Sequence, residues 1–433
     1  MTGDRTEHLR RLDQRRFWHP FTPMQAWCAE DHNPLVLERG EGCYLYDTEG
    51  NRYLDGNSSI WTNIHGHNHP RINQALREQL DRVAHVSALG TTNEPAILLA
   101  DRLCRLFPGG ELSRVFFTDD GSTAVECACK MALQYWQLRR EPERRRFLVF
   151  EGAYHGDTCG AASLGGIAAF HDRFRRWGFE VGRLSSLEDL GRVNPGEAAG
   201  VVLEPLIQGA AGMRLWPAGM LRQLRAWCDA EKALLILDEV MTGFGRTGAM
   251  FACQVEGVAP DLLASAKGLT GGYLPLAATL VKEEIFDTFQ GDPIEETTFF
   301  YGHSYCGNSL GCAAGLASLN IFEEENVLQG LKAKILSMGE AMEGWKRRSQ
   351  WVHEVRQCGL IAGIELRNPD GQPFDPRLRM GARVTEAARS HGLLTRPIRD
   401  VLVLMPPLCV NGSQLREAVD ALEKATEEVC SVA

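Results

Sequence analysis

Between residues 114 and 281 the chain returns again and again to short, almost wholly apolar runs. They are Arg114-Val115-Phe116-Phe117-Thr118, Phe147–Phe150, Gly200–Leu203, Leu234–Leu237, Leu262–Ala266 and Leu276–Val281. A four- to six-residue run without polar alternation suits a strand covered on both faces, as in a parallel sheet. Helical patterns lie between and before these runs. Ile72, Leu76, Leu80 and Val83 recur at helical spacing, a helix is predicted over about Pro95 to Leu106, and others over Asp120 to Trp136 and Pro217 to Ala230. The alternation predicts an α/β fold with a large, doubly wound domain over 71–325 and a mainly parallel sheet.

The remaining segments read differently. A helix from Asn326 to Arg348 leaves the large domain. A strand (Leu360–Leu366), a helix (Arg379–His391), a strand pair (Leu394–Pro397 and Val401–Met405) and a last helix (Gly412–Val429) then make a smaller α+β domain over 326–433. Residues 1–70 are expected to be irregular and to join that small domain. Their one regular feature is a β-hairpin over Gly42 to Leu54, turning at Glu49-Gly50-Asn51. Asn57–Trp61 reads as loop.

A formal net charge of -10 argues against a nucleic-acid surface, and the arginines between Arg139 and Arg146 are broken by Glu141, Pro142 and Glu143. No apolar run has membrane-spanning length, and Thr2–Arg16 lacks the apolar stretch of a secretory signal. Thirteen cysteines without a C-x-x-C pair point to reduced thiols and a cytoplasmic location. The sequons at Asn57 and Asn411 are therefore read as chance. His65, His67 and His69 are close enough to suggest metal ligands, but Gly66 and Pro70 favour a turn with local hydrogen bonds, and no metal is expected.

Chemistry-bearing residues gather at strand ends, where open α/β sheets place ligands. Lys267 ends an apolar run and precedes Gly268, Gly271 and Gly272. Desolvation there lowers a lysine's pKa and makes the amine a nucleophile able to hold an aldehyde cofactor as a Schiff base. Asp238 ends another apolar strand; a buried carboxylate needs a cationic partner, either a protonated ring nitrogen or a structural ion pair. Asp119-Asp120-Gly121-Ser122-Thr123 opens a helix, where Ser122 is either a phosphate ligand or an N-cap. Tyr154-His155, between Gly152 and Gly156, either stacks on a flat ring or packs the loop. Tyr301-Gly302-His303-Ser304-Tyr305 is a polar loop before a helix. Arg396, between Thr395 and Pro397, is either a carboxylate clamp or a surface arginine. Gly243-Phe244-Gly245-Arg246-Thr247-Gly248 matches G-x-G-x-x-G, but five residues separate it from the strand and no helix opens on it. Dinucleotide binding is thereby disfavoured. A Schiff-base lysine, a ring-nitrogen acid, a stacking aromatic, a phosphate cradle and a carboxylate clamp together match the needs of pyridoxal 5'-phosphate chemistry on amines.

Leu237-Asp238-Glu239-Val240 with Gly243–Gly248, followed by Ala266-Lys267-Gly268, resembles the class III aminotransferases of fold type I, and the likeness runs along almost the whole chain. More narrowly, Trp18-His19-Pro20-Phe21-Thr22, Ser58-Ser59-Ile60-Trp61, Lys130–Trp136, Tyr154-His155-Gly156-Asp157-Thr158 and Leu404-Met405-Pro406-Pro407 resemble the biotin-pathway branch that aminates 8-amino-7-oxononanoate. The resemblance implies that Lys267 carries the cofactor and shuttles the proton, with Asp238 on the pyridine nitrogen. It places Gly121, Ser122, His303 and, across a homodimer interface, Ser304 at the phosphate. Tyr154 would border the ring and touch substrate. Phe21, Ile60, Trp61, Gly302 and Arg396 would line the substrate site, Arg396 on the substrate carboxylate. The partners implied are small molecules and a second subunit. Phe21, Ile60, His303-Ser304 and Val403 depart from the S-adenosylmethionine-using pattern toward the branch that uses lysine as amino donor. The implied donor is thus S-adenosylmethionine or lysine; another ω-amino-acid aminotransferase of the family is the alternative.

Overall fold

A computed structural model describes residues 2–432 apart from Pro195, Pro293 and Glu295. Seven strands form the central sheet: β1 (Arg114–Thr118), β2 (Arg146–Phe150), β3 (Glu180–Leu184), β4 (Ala198–Leu203), β5 (Leu234–Asp238), β6 (Leu262–Ser265) and β7 (Ala277–Val281). Their spatial order is β1-β7-β6-β5-β4-β2-β3. Every residue of β4, β5, β6 and β7 is buried, which is why those runs carry no polar alternation. Six strands share one direction. β7 runs antiparallel to both neighbours, β6 and β1. The apolar run over Leu276–Val281 was expected to be parallel like the rest; direction is set by the connection, and two-sided burial leaves no mark of it in the residues.

Helices cover both faces. The long helix α2 (Gly121–Leu138) buries Ala124, Val125, Ala128, Met131, Ala132 and Trp136 against the sheet. Trp136 donates its indole N–H to the Ala199 carbonyl at 2.8 Å. Lys130 lies 4.4 Å from the Tyr301 ring centroid, and Gln134 donates to the Thr298 carbonyl at 3.1 Å. The Lys130–Trp136 motif thus joins sheet, helix and the 299–305 loop.

The smaller lobe has two sheets. One pairs Val352–Cys358, Ile361–Leu366, Val401–Leu404 and Pro397–Ile398 in antiparallel order. The other is the N-terminal hairpin, Tyr44–Asp47 against Arg52–Asp55, extended by Leu37–Glu41 and closed by Leu393–Leu394 lying parallel to Arg52–Asp55. The strand Val352–Cys358 was missed because His353, Glu354, Arg356 and Gln357 interrupt its apolar pattern. Residues 1–70 are less irregular than expected: Thr2–Arg16 forms a helix, α1. Its arginines reach the hairpin, with Arg10 bonding the Pro34 carbonyl at 3.0 Å and Glu49 at 3.0 Å. The helices α3 (Ser309–Glu324), α4 (Val327–Arg348) and α5 (Gly412–Cys430) complete the packing; Met338, Met342 and Trp345 of α4 are fully buried.

Candidate active site

Asp238 and Lys267 emerge from neighbouring parallel strands, at the carboxyl ends where such sheets bind ligands. Asp238 ends β5 opposite Ala264 of β6. Three residues further on, Lys267 takes a left-handed backbone (φ 47°) and opens a tight turn over Lys267–Thr270. Gly268 has no room for a side chain, since a Cβ there would lie 2.8 Å from Phe244. Burial lowers the Lys267 pKa to about 8; Asp238 and Glu204 pull it upward, and Arg246 adds to the lowering. Its Nζ sits 4.8 Å from the Trp61 ring centroid.

Asp238 is buried, and both its oxygens are engaged. Oδ2 accepts from His155 Nδ1 at 2.8 Å and Oδ1 from the Val240 amide at 3.1 Å. His155 is completely enclosed, and its Nε2 lacks a hydrogen-bond partner. The structure therefore assigns the His155 ring to holding Asp238 rather than to stacking.

Asp120, not Ser122, caps α2: its carboxylate accepts from the Thr123 amide at 3.0 Å, and Thr123 Oγ1 accepts from the Asp120 amide at 3.1 Å. Ser122 is left free for another use. Its hydroxyl faces the 152–158 loop and accepts from the Asp157 amide at 3.1 Å. That loop comes so close that a Cβ on Gly156 (φ 123°) would lie 2.2 Å from Ser122 Oγ. Gly121 is pressed against Val240 in the same way, with its absent Cβ 2.6 Å from Cγ1. The Gly302–Tyr305 loop is tied nearby by His303 Nδ1 on Asp119 Oδ2 at 2.8 Å, with Gly302 and Ser304 exposed.

The substrate side is built on strained backbone. Ser58, Ser59, Ile60 and Trp61 all have positive φ (47°, 50°, 66° and 65°), one turn of left-handed helix made without glycine. Each such residue costs about 1–2 kcal/mol. Asp55 holds the turn, its Oδ1 accepting from the Asn57 amide at 3.1 Å and the Ser59 amide at 3.3 Å. His67 in turn bonds Asp55 Oδ2 at 2.9 Å. Ser58 Oγ donates to the Met405 carbonyl at 2.6 Å, and Trp61 Nε1 to Asn57 Oδ1 at 2.9 Å. Trp61 is thereby fixed over Lys267. Sequence reading of Asn57–Trp61 as plain loop missed this conformation.

An aromatic wall borders the same region. Phe21 packs edge-on against Phe170 (centroids 5.3 Å apart), and Phe170 meets Tyr154 at 6.3 Å. The Tyr154 hydroxyl donates to Asp157 Oδ2 at 2.6 Å, and burial pushes its pKa up. Arg396 is exposed along part of its length; desolvation lowers its pKa, and no counter-charge contributes. Val403, expected to shape the donor pocket, is instead fully buried with Ile207, Met213, Met241 and Met405 beneath Trp61. Its strand has both faces covered, so its influence on a ligand passes through Trp61.

Two buried charges were not singled out in the sequence. Glu204 ends β4's extension; burial raises its pKa to about 7, Oε1 accepts from the Gly209 amide at 2.9 Å, and Oε2 has no partner. Arg246, inside the G-x-G-x-x-G stretch, is fully buried and donates to the Pro406 carbonyl at 2.7 Å and the Asn63 carbonyl at 2.8 Å. The glycine motif thus seats an arginine that ties the large sheet to the 55–66 and 405–409 segments. Among the described residues, no group of His, Cys, Asp and Glu has metal-site geometry.

The sequence profile of aminotransferase class III matches residues 27–426. The chain belongs to the class III aminotransferases. Other members share much of its sequence. Adenosylmethionine-8-amino-7-oxononanoate aminotransferase of Geobacter sulfurreducens is 46% identical, over 98% of each chain. The enzyme of the same name from Aquifex aeolicus is 42% identical, over 97% of each. The crystal structure of the Methanocaldococcus jannaschii enzyme of that name superposes with a TM-score of 0.94 at 39% identity, covering 98% of this chain and 99% of that one. An amine transaminase from an uncultivated Pseudomonas species, solved in its PLP-bound form, superposes at 0.88 with 35% identity, covering 96% and 99%. This class III aminotransferase shares the fold type I architecture of those neighbours.

Class III aminotransferases depend on pyridoxal phosphate, and the residues here fit it. Lys267 offers an amine with a lowered pKa. Asp238 offers a buried carboxylate braced by His155. The side-chain-free surfaces of Gly121 and Gly156 flank Ser122 at the start of α2, leaving amides and a hydroxyl for a phosphate.

Proposed function

We propose that this chain transfers an amino group to 8-amino-7-oxononanoate, making 7,8-diaminononanoate for biotin synthesis. The observation that carries the reading is 46% identity over 98% of both chains to a relative named for that ketone, together with Lys267 beneath Trp61. Pyridoxal phosphate, when bound, supplies an amine-reactive aldehyde and an electron-withdrawing pyridinium ring. Lys267 Nζ would hold the cofactor and would carry the proton between the donor carbon and the product side of the transfer. Its lowered pKa supports this role as a base. Asp238, oriented by His155, keeps the ring nitrogen protonated. Gly121, Ser122 and His303 would hold the phosphate at the α2 N-terminus, with Ser304 from a second subunit. Tyr154, Phe21, Ile60, Trp61 and Gly302 enclose the substrate, and Arg396, lacking an internal counter-charge, takes its carboxylate.

We further infer three domains over 1–70, 71–325 and 326–433, a homodimer, and a cytoplasmic location, the last supported by thirteen cysteines all free. The names of the relatives support S-adenosylmethionine as amino donor. Phe21, Ile60 and His303-Ser304 support lysine. Single-turnover loss of the cofactor's near-visible absorbance, measured with each amine separately, assigns the donor. The likeness to the Pseudomonas amine transaminase supports a second reading, an ω-amine transaminase. Turnover on 8-amino-7-oxononanoate set against 2-oxoglutarate and simple ketones tests the main reading; activity confined to the latter group overturns it.

A further inference from the structure

Cys43 and Cys409 lie 366 residues apart in the chain, yet their sulfurs are 3.3 Å apart. This is the one thiol–thiol contact among the described residues. Cys43 is buried just before the strand Tyr44–Asp47, while Cys409 is exposed in the loop that follows Met405-Pro406-Pro407. The surroundings place Cys409 closely. Gly66 leaves it room, since a Cβ there would come within 2.8 Å of the Cys409 sulfur. Leu408 is held on both sides, its amide donating to the Ile64 carbonyl at 2.8 Å and its carbonyl accepting from Lys334 Nζ at 2.6 Å.

The two sulfurs differ in character. The hydrogen bond shared with Cys43, together with Lys334 and Arg246, holds the Cys409 thiol below its ordinary range. The shared bond and burial push Cys43 well above it. One member is therefore the better nucleophile and reachable from solvent; the other is an enclosed thiol in contact with it, the arrangement of an attacking and a resolving cysteine.

We propose that Cys43 and Cys409 are a reversible oxidation site, closed to a disulfide by a hydroperoxide. The Cys409 thiolate attacks the terminal peroxide oxygen, forming an S–O bond as the O–O bond breaks, and hydroxide leaves from hydrogen peroxide or alkoxide from an organic hydroperoxide. Cys43 sulfur then displaces the hydroxyl of that sulfenic acid; its proton leaves with the oxygen as water. Two electrons pass from the sulfurs to the peroxide, and a dithiol restores the pair. Closure requires the sulfurs to approach from 3.3 Å to about 2.05 Å. The segments brought together are those that carry the strained turn: the Cys43 carbonyl accepts from the Asp55 amide at 2.8 Å, and the Met405 amide donates to the Gly56 carbonyl at 2.7 Å. Oxidation thereby fastens the base of the turn that holds Trp61.

The test uses the full-length, cofactor-loaded protein, reduced with dithiothreitol, desalted and exposed to a small excess of hydrogen peroxide. It is then alkylated under denaturing conditions and mapped by peptide mass spectrometry. The expected product is a Cys43–Cys409 crosslinked peptide that dithiothreitol removes. In Cys43→Ser, dimedone should label Cys409 as a trapped sulfenic acid; in Cys409→Ser, Cys43 should remain alkylatable. The proposal is overturned if wild-type Cys409 accumulates as sulfinic acid while Cys43 stays alkylatable. It is equally overturned if exposed Cys28 or Cys159 is oxidised while Cys409 stays free. The wild-type map decides the matter even where a variant fails to fold.

Discussion

Lys267 and Glu204 are a matched pair of misplaced charges, one held toward neutrality from above and the other from below. The pKa of Lys267 falls from 10.5 to about 8. In the cofactor-free protein this penalises folding wherever the native chain has to hold the charged amine in its buried site. The penalty is complete below pH 8 and disappears as pH rises from 8 to 10.5. Lys267→Met should therefore stabilise the cofactor-free protein by up to about 3 kcal/mol at pH 7, with the gain shrinking toward pH 10.5 in urea titrations. The same variant should lose turnover and show no near-visible absorbance with pyridoxal phosphate; retained absorbance would remove Lys267 as the anchor. Glu204 has the opposite sign. Its pKa rises from 4.5 to about 7, so its contribution is intact below pH 4.5 and lost as pH climbs through 7. Glu204→Gln keeps an oxygen for the Gly209 amide and should gain about 3 kcal/mol at pH 8 but nothing at pH 4. A gain independent of pH would show that packing, not ionisation, is responsible. Arg396→Ala should raise KM for the carboxylate-bearing ketone at least tenfold with a smaller change in kcat. An unchanged KM would leave Arg396 as a surface residue.

At the scale of elements, the parts that sequence made legible are those decided by local chemistry. Apolar runs announced β2, β4, β5 and β6, and a lysine and an aspartate at the ends of two of them pointed to one site. What stayed hidden depends on partners far along the chain. The direction of β7 follows from its connection. The left-handed Ser58–Trp61 turn is imposed by Asp55, by His67 and by the Met405 carbonyl 347 residues away. Arg246 looked like filler in a glycine motif until the Asn63 and Pro406 carbonyls came to it. Ile60 is the most telling residue of the turn, because a β-branched side chain at φ 66° is poorly tolerated. Asparagine accepts that region more readily, so Ile60→Asn should raise stability by about 1 kcal/mol. Ile60 also borders the proposed substrate site, so KM should change while thermal midpoint rises. A lowered midpoint would mean that the turn is not strained at Ile60.

Several large apolar side chains stand open to solvent. Trp18 (85%), Leu89 (92%) and Phe300 (89%) are almost fully exposed, and Tyr305 neighbours Ser304 on the loop beside Asp119. The proposed twofold dimer would bring one subunit's 302–305 loop to the other's α2 N-terminus. In the proposed homodimer each active site would depend on both chains. Ser304→Asp sets a negative charge against the phosphate and should abolish activity from the partner's side, while Lys267→Ala abolishes it from within. Coexpressed, the two inactive chains form mixed dimers. In each mixed dimer, one site combines an intact Lys267 with an intact partner Ser304. Random pairing makes half the dimers mixed, with one good site in two, so about a quarter of wild-type activity should return. Sedimentation of the same sample should show a dimer. If Ser304 served the site of its own chain, every site would carry one lesion whatever its partner, and the mixture would stay inactive.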